Sequence, residues 1–277
     1  VVALLFFLYG AKLSLAATWA GLTNWKLQLG CLICTYALFP VLAQGMQPLS
    51  GMALPAAIGV GFLFIGCLPS TVQSSIAFTS ISGGNVAGAL CAASLSNLIG
   101  VVVSPLLLAV LLHSTDDGAV ATGAIWKITQ QILIPFALGQ LCRPLLSGVL
   151  NRHKLPLMLV DRGSILLIVY AAFSAGVVGG IWSLLSLPDI ALLLALCTGL
   201  LAVVMGIAVA AGRVARLPRE DRLALLYCGS TKSLATGLPM AGILFHGQDI
   251  ALIILPLMLY HLIQLAVLAV MSRRLAP

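Results

Sequence analysis

Lys232 stands out in this sequence because it lies among hydroxyl side chains in a chain that is otherwise strongly apolar. It belongs to the stretch YCGSTKSLATGLPMAG over residues 227–242. An amine in such surroundings can bind an anion or replace a cation, or it can activate a serine as a nucleophile. The second chemistry would pair Lys232 with Ser230 or Ser233, as in an intramembrane Ser/Lys hydrolase. Residues one or two apart do not face each other on a regular helix, so the spacing favours binding over hydrolysis.

A second polar stretch interrupts an apolar run earlier in the chain. After the apolar residues 53–68, PSTVQSS occupies residues 69–75, and GGN follows at 83–85. Proline removes a backbone donor and glycine lowers helix stability, so both stretches predict broken helices. In lipid, the freed backbone groups persist only where protein buries them or a wet cavity receives them. Two such breaks therefore predict half-helix ends that face a solute or an ion.

The composition indicates the surroundings of these breaks. Hydrophobic residues make up 61% of the chain, charged residues 8%, and the mean hydropathy is +1.15, whereas a typical soluble domain has about 25% charged residues. We expect an all-α polytopic membrane protein whose partner is the lipid bilayer. The net charge of +7 lies mostly in the connections and does not indicate nucleic-acid binding. Cys31 and Cys34 have metal-motif spacing, but no His or carboxylate lies near them in sequence.

Hydropathy predicts nine spans in this sequence. They are 1–11 (incomplete), 27–45, 53–82, 86–112, 119–142, 164–182, 190–212, 221–245 and 250–271. Lys and Arg fall on alternate connections, and the opposite connections carry acidic residues without Lys or Arg. The positive-inside rule therefore predicts a cytoplasmic C-terminus.

The two predicted breaks lie five spans apart, so the helices that contain them run through the bilayer in opposite directions. This is the pattern of an inverted-repeat transporter. The second half of the chain, 119–271, has five predicted spans and the first half has four. We therefore expect one further helix before Val1 and a ten-helix, five-plus-five fold with two crossed discontinuous helices.

Lys232 lies near the predicted bilayer midplane. More than about 15 Å separates it from either interface, which is too far for its amine to reach water. A charge at that depth costs about 2.5–3.5 kcal/mol on insertion scales, and no predicted span has an interior Asp or Glu. The amine is then neutral because desolvation disfavours its charge, or it binds an anionic substrate, or it occupies the position of a cation. A lysine hydrated in a water-filled cavity, without a direct role, is the fourth alternative.

The motifs at residues 69–75, 84–87 and 227–239 resemble those of the bile acid:sodium symporter superfamily. The resemblance covers essentially the whole chain, and it is closest to a divergent bacterial branch related to sodium/bile acid cotransporter 7. It implies a panel domain that rocks against a core domain in a bacterial inner membrane. The panel would comprise 1–26 with 119–182, and the core 27–112 with 190–277, with crossed helices 53–82 and 221–245. It also implies sodium-coupled import of an organic anion.

The second crossing motif departs from the better-known members, which carry Glu-x-Gly-x-Gln-Asn-Ser-Gly. Gly229 and Ser233 match that pattern. Tyr227, Thr231 and Lys232 stand where those members have Glu, a sodium ligand, then Gln and Asn. Sodium and proton coupling are therefore both open for this chain.

In the first crossing helix, Ser75 aligns with the family serine, but Ile76 replaces the following Asn. Ser94 and Asn97 share a helical face near the family's cation positions. The resemblance places a possible sodium ion near Ser75, Ser94 and Thr231. No other cofactor is expected.

The candidate substrate- and ion-binding residues lie in the two breaks or on helices expected to face them. They are Tyr227, Gly229, Ser230, Thr231, Lys232, Ser233, Ser70, Thr71, Gln73, Ser74, Ser75, Asn85, Ser94, Asn97 and His261. We expect a secondary active transporter of a small organic anion, without enzymatic activity, that alternates access around a midplane site. A regulatory membrane protein that no longer transports is the main alternative. A channel is less favoured because no charged pore ring or carbonyl filter motif occurs.

Overall fold

Helices form the regular structure of this protein in a computed structural model. The structure describes residues 2–12, 24–113, 134–152, 185–245 and 250–277, with isolated positions between 130 and 178. No strand occurs within these ranges. The helices are α1 (Val2–Lys12), α2 (Trp25–Ile33), a π-helical segment (Cys34–Leu38), α3 (Phe39–Ala53), α4 (Ala56–Cys67), α5 (Val72–Ile81), α6 (Val86–His113), α7 (Ile134–Arg152), α8 (Leu187–Val214), α9 (Arg219–Ser230), α10 (Leu234–Leu244) and α11 (Ile250–Arg274).

Four of the described helical segments are long and apolar enough to cross a membrane. They are Trp25–Pro48, Val86–Leu112, Leu187–Val214 and Ile250–Arg274. The bent pair of α4 and α5 makes a fifth candidate span. These five coincide with the predicted spans 27–45, 86–112, 190–212, 250–271 and 53–82. The structure therefore confirms a helical protein suited to a membrane, while the count of nine spans and the five-plus-five repeat stay predictions.

Two of the predicted spans lie in the middle of the chain. The predicted spans 119–142 and 164–182 lie largely outside the described residues. Helix α7 overlaps the end of the first of them, but it continues through Arg143 and Pro144 to Arg152. Hydropathy predicted a connection at these residues. It locates the boundary of the membrane, whereas a helix ends where its backbone hydrogen-bond ladder ends, and the two positions need not coincide.

Helices α1 and α7, both assigned to the predicted panel, cross at two glycines. A Cβ on Gly10 would collide with the carbonyl group of Phe136, and a Cβ on Gly139 would collide with that of Phe7. Small residues at a crossing let helix backbones approach closely in a membrane. This reciprocal contact fixes how the two helices cross.

Helix α4 forms the centre of the core. Its residues Phe62, Leu63, Phe64 and Ile65 are all fully buried. A helix that is apolar on every face is stable only when other elements enclose it completely. Helices α3, α6 and α11 pack around α4, and Phe245 at the end of α10 makes an edge-to-face contact with Phe64 at 5.3 Å between ring centroids.

One buried carboxylate joins the first turns of three helices. Asp221, in the first turn of α9, accepts hydrogen bonds from Asn24 Nδ2 at 2.6 Å and from Asn85 Nδ2 at 2.7 Å. Asn24 precedes α2, and Asn85 precedes α6, where its Oδ1 accepts from the Gly88 backbone at 2.8 Å. Helix N-termini carry partial positive charge, so a carboxylate at three of them is favourable.

We expect Asp221→Asn to destabilise the protein, because the new amide would place a donor against an asparagine amide that is also a donor. The free energy of unfolding should fall by about 1–3 kcal/mol, measured by thermal unfolding of the purified protein in detergent. Glu220→Gln is the matched control, since Glu220 is the exposed neighbour on the same turn. Equal stability of the two variants would contradict this assignment.

Candidate functional site

The first break separates α4 from α5. Helix α4 ends at Cys67, α5 begins at Val72, and their axes differ in direction by 62°. Leu68 is extended, with ψ 152°. Pro69 has no N–H to donate, so the ladder cannot continue through it. The sequence analysis predicted this break at residues 69–75, and the structure places it at residues 68–71.

The second break separates α9 from α10. Helix α9 ends at Ser230, Thr231 is extended with φ −96° and ψ 150°, and α10 begins at Leu234. The Ser233 hydroxyl caps α10 by accepting from the Thr236 backbone at 3.2 Å. Pro239 lies inside α10, away from the break. The helix is therefore interrupted within the predicted stretch, but at residues 231–233 and not at Pro239.

The two breaks contact each other directly. The Ser233 backbone donates to the Pro69 carbonyl at 2.9 Å. In the other direction, Ser70 Oγ donates to the Cys228 carbonyl at 2.7 Å and Thr71 Oγ1 donates to the Lys232 carbonyl at 2.8 Å. The interrupted segments thus supply partners for one another's backbone groups. We call this junction the crossing, formed by residues 68–71 and 231–233.

Thr231 is the hydroxyl at the centre of the crossing. Its Oγ1 donates to the Tyr227 carbonyl at 3.0 Å and lies 3.0 Å from Ser70 Oγ and 2.8 Å from Ser75 Oγ. The Thr71 backbone N–H also lies 3.4 Å from this oxygen, so Thr231 Oγ1 has four polar neighbours, more than the one donor and two acceptor positions of a hydroxyl can bond at once. The structure thus brings together Ser75 and Thr231, two of the residues assigned to a possible sodium ion. Ser94 takes no part in these hydrogen bonds and is half-buried.

Lys232 is fully buried, with 0% of its surface exposed. Its Nζ donates to the backbone carbonyls of Thr35 at 3.0 Å, Gly66 at 3.0 Å and Leu68 at 2.6 Å. Three acceptors match the three donors of an ammonium group, whereas a neutral amine has only two. Nζ also lies 4.0 Å from the centroid of the Phe39 ring, a cation–π distance.

The sequence explains why the Thr35 carbonyl is available. In the π-helical segment, the Phe39 backbone N–H donates to the Cys34 carbonyl, five residues back. In that register the donor for the Thr35 carbonyl would be the backbone nitrogen of residue 40, which is Pro40 and has no N–H. The Thr35 carbonyl therefore has no backbone donor and accepts from Lys232.

The other two carbonyls belong to the end of α4. The usual donor for the Gly66 carbonyl would be the Ser70 backbone N–H, which instead donates to Ser96 Oγ at 3.1 Å. Leu68 lies in the break itself. The last carbonyls of a helix carry partial negative charge, so this position favours a cation. Pro40 thus removes the donor for the Thr35 carbonyl, and the end of α4 before Pro69 leaves the Gly66 and Leu68 carbonyls for Lys232.

These contacts distinguish between the possible roles of Lys232. All three donors of an ammonium group would be used inside the protein, so none is left for a solute in this conformation, and the side chain has no exposed surface. Ser230 Oγ donates to the Leu226 carbonyl at 2.6 Å, and Ser233 Oγ caps α10. The amine therefore bonds to carbonyl groups and not to either serine that a Ser–Lys pair would need.

Three residues of α11 hold the second break from its other side. Tyr260 OH donates to the Ser230 carbonyl at 2.7 Å. Gln264 Oε1 accepts from the Lys232 backbone N–H at 2.8 Å, and Gln264 Nε2 donates to the Lys232 carbonyl at 2.9 Å. His261 Nδ1 lies 3.3 Å from the Lys232 carbonyl and 2.7 Å from Gln264 Nε2. Tyr260 and Gln264 were not among the predicted site residues. For Gln264 a signal was present, because it is an amide in an apolar span, one turn from His261.

Asn97 links α6 to both breaks. Its Nδ2 donates to the Ser70 carbonyl at 2.8 Å, and its Oδ1 accepts from Thr236 Oγ1 at 3.1 Å. Asn97 therefore contacts the first break at Ser70 and the start of α10 at Thr236, and its role in binding a substrate or ion stays a prediction. Gln73 is exposed on α5, and Ser74 Oγ is enclosed without a hydrogen-bond partner among the described residues.

Three of the candidates lie apart from the crossing or contribute in another way. Asn85 bonds to Asp221 as described above. The Tyr227 hydroxyl lies 2.6 Å from Ser82 Oγ, so its backbone carbonyl and not its side chain joins the crossing. A Cβ on Gly229 would lie 3.2 Å from Cys34 Cβ, a tight contact. Glycine at this position thus suits the close approach of α9 to the π-helical segment.

Replacing Lys232 by Met keeps much of the side-chain volume but leaves three carbonyls without their donor. We expect the free energy of unfolding to fall by about 2–5 kcal/mol, seen as a lower unfolding temperature in detergent or nanodiscs. Lys26→Met is the control, because Lys26 is exposed beside Trp25. An unchanged unfolding temperature for Lys232→Met would refute the role of the ammonium group in stability.

Sequence comparisons agree with this architecture. The SBF-like CPA transporter family matches residues 1–277. The uncharacterized protein PA2026 of Pseudomonas aeruginosa is 46% identical over 278 residues, which cover 99% of this chain and 83% of that protein. The candidate symporter YfeH of Escherichia coli K12 is 42% identical over 273 residues, covering 99% and 82%. Sodium/bile acid cotransporter 7 of Rattus norvegicus is 29% identical over 267 residues, covering 94% and 77%. The resemblance predicted from the motifs is confirmed, and the chain belongs to the SBF-like CPA transporter family.

Proposed function

We propose that this protein is a secondary active transporter of a small organic anion that alternates access around the crossing. The observation that carries the proposal is the direct contact of two broken helices, with the Ser233 backbone bonded to the Pro69 carbonyl at 2.9 Å. Broken helices in membrane transporters lie at the substrate site, where their ends present backbone dipoles. The family membership supports the same class of function.

An anion suits the polar groups around the crossing. Helices α5 and α10 both begin there, and helix N-termini attract negative charge. Among the described residues, the acidic side chains are Asp189, Glu220 and Asp221, and none of them contacts the crossing. Thr71 and His261 both keep part of their surface exposed and both lie within 3.3 Å of the Lys232 carbonyl. We propose that the anion binds on this side of the crossing.

Lys232 acts in this proposal as a built-in cation. Its ammonium group contacts three carbonyl oxygens, which is how a bound metal cation would be held at the end of a broken helix. The hydroxyls of Ser75 and Thr231 bond to each other. An ammonium group at this position would take the place of one sodium ion, which leaves a proton gradient as the driving force that we propose.

The larger movement would follow the division that the family resemblance implies. We propose that the panel, 1–26 with 119–182, rocks against the core, 27–112 with 190–277, with the C-terminus in the cytoplasm. Within the core, the carboxylate of Asp221 and the ammonium of Lys232 each join three segments. Such cross-links suit a core that moves as a rigid body.

Reconstituted proteoliposomes test the function directly. We expect saturable accumulation of a labelled organic anion, with carboxylates, sulfonates and one bile acid as the test panel. A bile acid is included because vertebrate relatives carry that word in their names. Lys232→Met should lose uptake, whereas Lys26→Met should retain it. Normal folding without uptake of any of these anions would favour a non-transporting regulatory protein.

The same vesicles test the coupling ion. Because Lys232 supplies a positive charge at the crossing, we expect uptake driven by a proton gradient to continue when choline replaces sodium on both sides. Abolishing the proton gradient at constant sodium should stop accumulation. Uptake that requires a sodium gradient and ignores the proton gradient would show that a sodium site exists elsewhere and would refute the built-in cation as a substitute.

A further inference from the structure

Gln264 is a fully buried amide on α11 whose orientation is fixed by the backbone of Lys232. Its Oε1 accepts from the Lys232 backbone N–H at 2.8 Å, and its Nε2 donates to the Lys232 carbonyl at 2.9 Å. Exchange of the amide oxygen and nitrogen would set donor against donor and acceptor against acceptor. The positions of both amide atoms are therefore determined by one peptide segment of the crossing.

This orientation determines which nitrogen of His261 carries its proton. Gln264 Nε2 has a second hydrogen and lies 2.7 Å from His261 Nδ1. The Lys232 carbonyl already accepts from Thr71 Oγ1 at 2.8 Å and from Gln264 Nε2 at 2.9 Å, which fills its two lone pairs. His261 Nδ1, at 3.3 Å from that carbonyl, is therefore the acceptor from Gln264. The neutral ring then carries its proton on Nε2.

We propose that Gln264 is a positioning residue that holds His261 as an Nε2–H donor for an oxygen of the transported anion, such as a carboxylate or sulfonate oxygen. This inference rests on the proposed function for the identity of the ligand, but not for the state of the histidine. Within the described part of the chain, Nε2 has no hydrogen-bond partner, and the ring is half-buried at the Lys232 carbonyl, to which Thr71 also bonds. A site that offers a donor in a fixed direction selects ligands with an acceptor at that position.

Nitrogen NMR of the histidine ring tests the positioning without any transport measurement. In a background where His113, His153 and His246 are replaced by Gln, ¹⁵N-labelled protein in nanodiscs should show the proton of His261 on Nε2. Gln264→Glu replaces the amide donor by an acceptor, so the spectrum should show a protonated Nδ1. Gln44→Glu, an exposed change of the same kind on α3, should leave the signal unchanged. A protonated Nδ1 in the Gln264 protein, or no response to Gln264→Glu, would overturn the proposal.

Two substitutions of His261 test the role toward the anion. The amide nitrogen of Gln reaches about as far as Nε2 of histidine, whereas that of Asn reaches only as far as Nδ1. We expect KM for the anion to change by less than about threefold in His261→Gln and to rise about tenfold or more in His261→Asn, with similar maximal rates. Equal KM values in the two variants would overturn the donor role.

The two experiments separate this inference from the proposed function. If wild-type vesicles take up no anion, the transport function and the ligand role of Nε2 both fail, while the NMR result still decides whether Gln264 fixes the ring. If wild-type uptake is normal and Gln264→Glu leaves the KM unchanged, transport stands and the positioning role of Gln264 is refuted.

Discussion

The ammonium group of Lys232 and its three carbonyl partners are the interaction on which the centre of this protein depends. Each partner alone would be a buried acceptor without a donor, and the amine alone would be a buried charge without a partner. Together they satisfy one another at 2.6–3.0 Å. The contact joins the π-helical segment, the end of α4 and the second break. Three segments that differ widely in sequence position are thereby held in one geometry.

The need to pair every freed backbone group also explains the rest of the crossing. Every break in a membrane helix frees N–H and C=O groups that lipid cannot satisfy. Here the two breaks satisfy each other through Ser233 and Pro69 and through Thr71 and Lys232. Asn97 and Gln264 supply side-chain amides, which mimic backbone groups, from the neighbouring helices α6 and α11. The structure is thus a closed set of hydrogen bonds around two interrupted helices, with His261 at its margin.

The position of Lys232 changes how its charge relates to function. A lysine that faces a cavity would bind an anion directly, but this amine has no donor left for one. In the transport function that we propose, its charge would contribute to the electrostatic potential of the crossing without direct contact to a ligand. Recognition of the solute would then fall to uncharged donors that keep some exposure, such as Nε2–H of His261. Such a division would separate the stability of the crossing from selectivity toward the anion.

The sequence by itself determined that the chain is helical, that it suits a membrane, that two polar stretches interrupt its apolar runs, and which family it resembles. The first three follow from composition, hydropathy and the chemistry of proline, and the resemblance rests on the motifs at residues 69–75, 84–87 and 227–239. All of these are local properties of the sequence. The partners of Lys232 were not predictable, because they are not acidic side chains but the backbone carbonyls of Thr35, Gly66 and Leu68, which lie far from Lys232 in sequence. The roles of Pro40 and Gln264 were missed for the same reason. Only the tertiary structure decided that Pro239 stays inside a helix, that Asn85 binds Asp221, and which carbonyl groups lack a donor, since each depends on neighbours brought together by folding.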